Sequence, residues 1–160
     1  MDFAFTDEQR MWYETVQDFM EKEVGREYTR EHDRTRTYPS EMFEKVAANG
    51  WLGLLLPEEQ GGLAADPISY AIFCESIAKF SLDTASCIMQ HMFTATNIST
   101  HGTPEQQAYY LPRFLAGQQK FAISISEPNA GSDAAGIRTK AILDGDEWVI
   151  NCLLYTSDAA

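Results

Sequence analysis

Basic side chains are scarce in this chain: 12 Lys and Arg face 24 Asp and Glu, leaving a net charge of −12 over 160 residues. No run of Lys or Arg interrupts that balance, which argues against a nucleic-acid surface, because phosphate binding needs clustered positive charge. The excess carboxylates read as a solubility feature of exposed helix faces. Cysteine is sparse as well. Cys74, Cys87 and Cys152 are odd in number and lack metal-ligand spacing, a pattern that fits a reducing compartment. Cys74 and Cys87 read as small apolar core residues. The opening Met1-Asp2-Phe3 has no basic region of the kind that starts a secretory signal, and no uninterrupted apolar run reaches membrane-spanning length. The expected compartment is the cytoplasm, with no nucleic-acid or membrane partner. Internal repeats and low-complexity segments are absent too. What is present is a 44% apolar, 12% aromatic composition that opposes disorder. The length suits one domain with a real core, or one domain plus a piece of another.

The first part of the chain has helical periodicity. Thr6-Asp7-Glu8-Gln9 forms a capping-box pattern, with Thr6 as N-cap and Gln9 reaching back. Trp12, Val16, Phe19 and Val24 follow at helical spacing, and Gly25 is the expected stop. Residues 26–37 are charged and read as irregular. A second helix is expected from Ser40, carrying Met42, Phe43, Val46 and Ala47 inward and ending at Asn49-Gly50. Trp51 to Leu56 reads as a buried connector. Asp66-Pro67 starts another helix, an acidic N-cap followed by proline at the first helical position, expected to reach about Phe80. Asp83 is the expected cap of the next helix, which runs to His101-Gly102 and is apolar almost all round, so it belongs at the centre of its bundle. Thr103-Pro104-Glu105 starts the last helix, ending near Ala116-Gly117.

The period then changes. Lys120 to Ser126, Ile137 to Leu143 and Glu147 to Asn151 read as strands, the last two joined by a turn at Asp144-Gly145. In the first of them Phe121, Ile123 and Ile125 share one face, and Ala122, Ser124 and Ser126 the other. Pro128 has no N–H and ends ladder pairing. The loop that follows, Asn129-Ala130-Gly131-Ser132, is made of small residues. Gly131 can take a positive φ, and Asn129 tolerates left-handed geometry. Successive main-chain N–H groups in such a bend form an anion cradle, and the Ser126 and Ser132 hydroxyls add donors.

The string Ser126-Glu127-Pro128-Asn129-Ala130-Gly131-Ser132-Asp133 resembles the flavin-binding signature of the acyl-CoA dehydrogenases, a Thr-Glu-Pro-x-Ala-Gly-Ser-Asp pattern. Two more strings match in order. Leu56-Pro57-Glu58-Glu59-Gln60-Gly61-Gly62 is similar to the family's Pro-Glu-x-x-Gly-Gly turn. Gly102-Thr103-Pro104-Glu105-Gln106-Gln107 through Leu111-Pro112 is similar to its Gly-Thr-x-Glu-Gln-x helix start. The resemblance covers about residues 3–151. It implies a mainly α fold: an N-terminal helical bundle domain over 1–118, then the first strands of an incomplete β-barrel domain over 119–151. It implies FAD as cofactor, an acyl-CoA substrate dehydrogenated at its α,β bond, and an electron-transfer flavoprotein or similar acceptor. A homotetramer is implied for the full-length enzyme.

Site residues carry over one by one. Ile123, Ser124, Ile125 and Ser126 are expected along the flavin edge, with Ser126 in place of the family's usual Thr. Gly131 and Ser132 match the cradle, Ser132 facing the FAD pyrophosphate or the CoA portion of the substrate. The family's catalytic Glu belongs to a C-terminal helical domain outside this sequence, so no residue here is assigned as catalytic. Glu127 reads as a loop-orienting residue rather than a base, and Glu58 and Glu59 as solvated turn residues. His91 reads as a satisfied core or cavity-rim histidine. Met89, Met92 and Phe93 fit either an acyl pocket or plain core packing.

The ending departs from the family pattern. Residues 152–160 resemble translated transposon-end adapter sequence and are expected to be non-native, a diverged strand being the alternative. Three strands leave open edges and an uncovered apolar face, so marginal stability after residue 118 and an inactive fragment are expected. Two other functions stay open on sequence alone: an acyl-CoA oxidase or flavin monooxygenase of the same fold, and a non-catalytic helical interaction module.

Overall fold

The computed structural model describes residues 4–152 and 154; of the expected non-native tail, therefore, only Cys152 and Leu154 are described. Among the described residues there are six α-helices and two short strands, in the order α1 (Asp7–Phe19), α2 (Arg26–Thr35), α3 (Ser40–Ala48), α4 (Pro67–Ala78), α5 (Leu82–His101), α6 (Pro104–Leu115), β1 (Lys140–Asp144) and β2 (Glu147–Asn151). The chain divides into two compact units between Phe121 and Ala122. The mainly helical reading with the start of a sheet therefore holds.

Local chemistry fixes the helix ends. Thr6 Oγ1 accepts the Gln9 amide and Gln9 Oε1 accepts the Thr6 amide, both at 3.2 Å, so two otherwise unpaired donors at the start of α1 are satisfied reciprocally. The same box recurs at Thr103 and Gln106 before α6. Asp66 accepts the amides of Ile68 at 2.8 Å and Ser69 at 3.2 Å, capping α4. The side chain of Gln107 reaches back to the carbonyls of Ser99 and Gly102 and so closes the end of α5.

The core of the helical unit is aromatic. Phe73 of α4 is fully buried, stacked 6.2 Å from Trp12 of α1 and set edge-on 6.1 Å from Trp51. Trp12 and Phe19 both meet the Trp51 ring edge-on, at 5.1 and 4.8 Å. Burying one such ring contributes on the order of 1.5–3 kcal/mol. The Trp12 indole N–H also donates to the Ser69 carbonyl at 2.9 Å, tying α1 to α4. Trp51, Leu52, Leu54 and Leu56 are buried, as expected of a connector. The connector turns against Gly62 so closely that a Cβ there would lie 2.0 Å from the Leu56 carbonyl oxygen. Glycine is required at that position by main-chain proximity.

Several expectations are corrected. Residues 26–35 are helical, not irregular. Only Thr29 of α2 is buried, so the helix carries almost no apolar stripe for periodicity to register. It is held instead by single contacts: the Tyr28 hydroxyl accepts the Met42 amide at 3.2 Å, and the Arg26 guanidinium lies 4.4 Å over the Phe80 ring. The cap of α5 is Ser81, not Asp83. Ser81 has extended backbone and its hydroxyl accepts the Thr84 amide at 3.0 Å while donating to Asp33 at 2.8 Å. Helix α5 does pack against α2, α4 and α6, but it is not buried all round, since Leu82 and Phe93 are exposed.

Among the described residues of the smaller unit two strands form rather than three. β1 and β2 pair antiparallel with Ile142 opposite Val149, joined by a two-residue loop. Gly145 has φ 62° and Asp146 does not enter the left-handed region, the type II′ pattern that suits a right-twisted hairpin. Residues 120–126 are not a strand. Their alternation is genuine, but a strand exists only when paired, and no partner lies beside them among the described residues. The second strand begins at Lys140 rather than Ile137, because Ala134–Gly136 makes a turn of 3-10 helix and the next two amides are bonded elsewhere.

Candidate functional site

The segment Ile123–Ser126 and the bend that follows it carry the candidate site. Glu127 and Ala130 exchange main-chain hydrogen bonds, Glu127 N–H to Ala130 O at 2.9 Å and Ala130 N–H to Glu127 O at 3.2 Å. Pro128 and Asn129 are the central residues of that turn, where a fixed proline φ is favourable. Neither Asn129 nor Gly131 has a positive φ. The left-handed role expected of them is therefore corrected: the turn closes without a positive φ. A Cβ on Gly131 would meet nothing within 4 Å. The backbone there presents a bare, open surface.

Glu127 fixes the bend from beneath. It is buried, 5% exposed, and its carboxylate accepts the amide of Arg138 at 2.8 and 3.0 Å and that of Thr139 at 2.6 Å. The Thr139 hydroxyl first, then the Arg138 amide, hold its carboxyl below the usual carboxylate range. A carboxylate so engaged is a poor proton acceptor, and its work is to lock residues 127–130 to the run leading into β1. These two amides are the ones the expected strand at Ile137 would have used in pairing.

Around this frame the sequence-derived candidates are laid open. Ser124, Ile125, Ser126, Gly131 and Ser132 are exposed, and Ile123 is half-buried. The hydroxyls of Ser124, Ser126 and Ser132 have no hydrogen-bond partner among the described residues, and the main-chain N–H groups of Ile123–Ser126, Gly131 and Ser132 have no acceptor there. In so open a segment water serves these groups, and the set includes amide and hydroxyl donors on adjoining stretches of chain that could exchange water for a ligand. It fits a ligand bearing phosphate and heterocyclic acceptors, as FAD does. Among the described residues no cluster of His, Cys, Asp and Glu could hold a metal ion, and no helix is long and apolar enough to cross a membrane.

The remaining candidates fall elsewhere. Glu58 and Glu59 are exposed turn residues. Met92 is buried in the core, Met89 packs against it, and Phe93 points out at 53% exposure, so the three do not converge on one cavity. Cys74 and Cys87 are half-buried and Cys152 exposed, all as free thiols. Burial pushes the Cys74 and Cys87 thiols up, which makes them poor nucleophiles. His91 is buried and fully partnered. Its Nε2 lies 2.7 Å from the Tyr38 hydroxyl, and its Nδ1 lies 2.5 Å from the Phe121 carbonyl and 3.0 Å from the Phe121 amide. Desolvation lowers its pKa, so the ring is neutral near pH 7. Sequence reasoning placed it in the core but missed its link to Phe121, 30 residues on, which no periodicity signals.

Comparison with known proteins is consistent with this geometry. Residues 6–118 match the family description "Acyl-CoA dehydrogenase, N-terminal domain". The probable acyl-CoA dehydrogenase YngJ of Bacillus subtilis (strain 168) is 39% identical over 152 residues, covering 94% of this chain and 40% of YngJ. The caffeyl-CoA reductase-Etf complex subunit CarC of Acetobacterium woodii is 33% identical, over 92% of this chain and 39% of CarC. Among solved structures, an acyl-CoA dehydrogenase complexed with FAD from Bacillus anthracis superposes with a TM-score of 0.76 at 30% identity, over 93% of this chain and 26% of that one. The chain thus spans about two-fifths of the length of the curated relatives it matches. With its capped helices, its Gly-Gly turn and its Ser-Glu-Pro bend in family order, this chain belongs to the acyl-CoA dehydrogenase family.

Proposed function

We propose that this chain is the N-terminal part of an FAD-dependent acyl-CoA dehydrogenase, with a helical domain over residues 1–118 and the beginning of a flavin-binding β domain over 119–151. The observation that carries this reading is the set of open amide and hydroxyl donors on Ile123–Ser126, Gly131 and Ser132, beside a bend braced by the Glu127 carboxylate. When bound, the flavin would supply the electron sink for removing two hydrogens across the α,β bond of an acyl thioester. The chain's own residues do the holding. Main-chain amides of Ile123–Ser126 and the Ser126 hydroxyl would bond the heterocycle's polar edge. Gly131 lets a phosphate approach the backbone, and Ser132 would donate to the pyrophosphate or to the CoA portion of the substrate.

Glu127 contributes rigidity, not proton transfer. No carboxylate of residues 1–151 is assigned as the base, because the family resemblance puts that role on a Glu of a C-terminal helical domain. The protein as a whole would act on acyl-CoA in the cytoplasm, pass electrons to an electron-transfer flavoprotein or a similar acceptor, and assemble as a homo-oligomer. The presence of Etf in the name of the CarC complex supports that acceptor. The residues described here would be inactive without the rest of the protein.

The test is made on the full-length protein. Purified material should show flavin absorbance, and addition of an acyl-CoA should bleach it under anaerobic conditions. Flavin that stays oxidised with every acyl-CoA offered contradicts the dehydrogenase reading.

A further inference from the structure

The residue that precedes the candidate flavin segment is gripped in an unusual way. Phe121 is held by its ring, 5.3 Å from Phe114 and 6.3 Å from Tyr110, and by its main chain, both polar atoms of which lie within reach of one imidazole nitrogen. That nitrogen, His91 Nδ1, cannot serve both at once. With the proton on Nδ1, the ring donates to the Phe121 carbonyl and Nε2 accepts from the Tyr38 hydroxyl. With the proton on Nε2, the ring donates to Tyr38 and Nδ1 accepts the Phe121 amide. Either neutral tautomer therefore holds the same residue. The ring itself is fixed edge-on against Phe43 at 5.2 Å and is 7% exposed. Lys120, next to Phe121, lays its ammonium 4.5 Å over the Tyr38 ring and adds a second tie at the same point.

From Ala122 onward the main chain has no such hold until Glu127. We propose that His91 is a positioning residue for flavin binding: by clamping the Phe121 main chain in either tautomer, it fixes the point from which Ile123–Ser126 extends and so reduces the disorder that cofactor binding must remove. This rests on the flavin reading above. Pre-ordering a binding segment raises affinity without adding a contact to the ligand, and His91 itself touches no part of the proposed cradle.

The experiment separates the two ends of the imidazole in the full-length protein, stripped of flavin and titrated with FAD. His91→Asn keeps a polar group at the Nδ1 position and so keeps the bond to Phe121. His91→Gln places its amide at the Nε2 position and loses that bond. Tyr38→Phe removes only the partner of Nε2. FAD affinity should fall about tenfold in H91Q, the order of one buried hydrogen bond lost, and stay within about twofold of wild type in H91N and Y38F. Thermal stability should fall in all three, so a merely structural role would lower affinity in parallel across the set, and that result overturns the inference. Equal affinity in H91Q and wild type does so as well. Wild-type protein that takes up no FAD sinks the flavin reading and this one together, whereas normal wild-type uptake with an unaffected H91Q sinks this one alone. An independent readout needs no variant: the amides of Ile123–Ser126 should exchange slowly only with FAD bound. Exchange at Ile123–Ser126 that is unchanged by FAD overturns the inference.

Discussion

Replacing Phe73 by Ala should remove the keystone of the helical unit. The ring is fully buried, lies 14° from parallel to Trp12 at 6.2 Å, and meets Trp51 nearly at right angles at 6.1 Å. Its loss combines the transfer term for the missing atoms with the cavity left between two indoles that cannot close on each other, because Trp12 is pinned by its 2.9 Å hydrogen bond to Ser69. Phe-to-Ala changes at such sites cost about 3–5 kcal/mol. Domains of this size hold roughly 5–15 kcal/mol in all, so about a fifth or more of the stability should go. At about 4 °C per kcal/mol, the melting temperature should drop by ~12–20 °C. Urea titration followed by tryptophan fluorescence reads the change directly, since Trp12 and Trp51 are the neighbours of the cavity. Phe93→Ala on α5, 53% exposed, is the control and should stay within about 0.5 kcal/mol of wild type. A Phe73→Ala loss below about 1 kcal/mol, or one equal to that of Phe93→Ala, would refute the packing argument.

Other consequences can be checked alongside. Gly62→Ala forces a methyl within 2.0 Å of the Leu56 carbonyl oxygen, and because both sides are main chain it should destabilise by about 1–3 kcal/mol or more in urea titration; a neutral result contradicts the close approach. Glu127→Gln replaces one acceptor oxygen with an NH2 that faces the Arg138 and Thr139 amides, so hydrogen exchange at those two amides should quicken while α1–α6 stay unchanged. His91 is shifted down from its ordinary 6.5 by desolvation, which means the folded state disfavours the proton. Its contribution is complete above pH 6.5 and lost as the pH falls from there through the lower folded value. The urea midpoint should fall across that window in wild type and fall less in H91Q, and parallel acid limbs would argue against a buried neutral imidazole.

What could be read in the sequence was what is encoded locally. Thr6/Gln9, Thr103-Pro104-Glu105 and Asp66-Pro67 each write a helix start within four residues, and all three are legible for that reason. Helix α2 was hidden because it buries only Thr29, so its charged residues left no stripe. Ser81 and Asp83 are both of residue types that cap helices, and the partner that favours Ser81, Asp33 on α2, is 48 residues away. Residues 120–126 alternate as a strand should, yet pairing is a property of two segments and one segment cannot report it. At the candidate site the residue types were legible in the Ser-Glu-Pro string, whereas the mechanics were not. Gly131 faces open space and has no positive φ. Glu127 spends its carboxylate on amides 11 and 12 residues downstream. The His91 grip on Phe121 joins α5 to a loop by a contact that only the folded chain brings about.

The central claim, that the donors on Ile123–Ser126, Gly131 and Ser132 hold a flavin dinucleotide, is tested most directly by titrating the flavin-free full-length protein with FAD and following the flavin spectrum, beside Gly131→Val. Wild type should take up one FAD per chain with a shifted and resolved absorbance band. Gly131→Val should unfold at about the same urea concentration, because a Cβ there meets nothing within 4 Å, yet bind FAD at least tenfold more weakly. Uptake by Gly131→Val equal to wild type, or none by wild type at saturating FAD, would contradict the account.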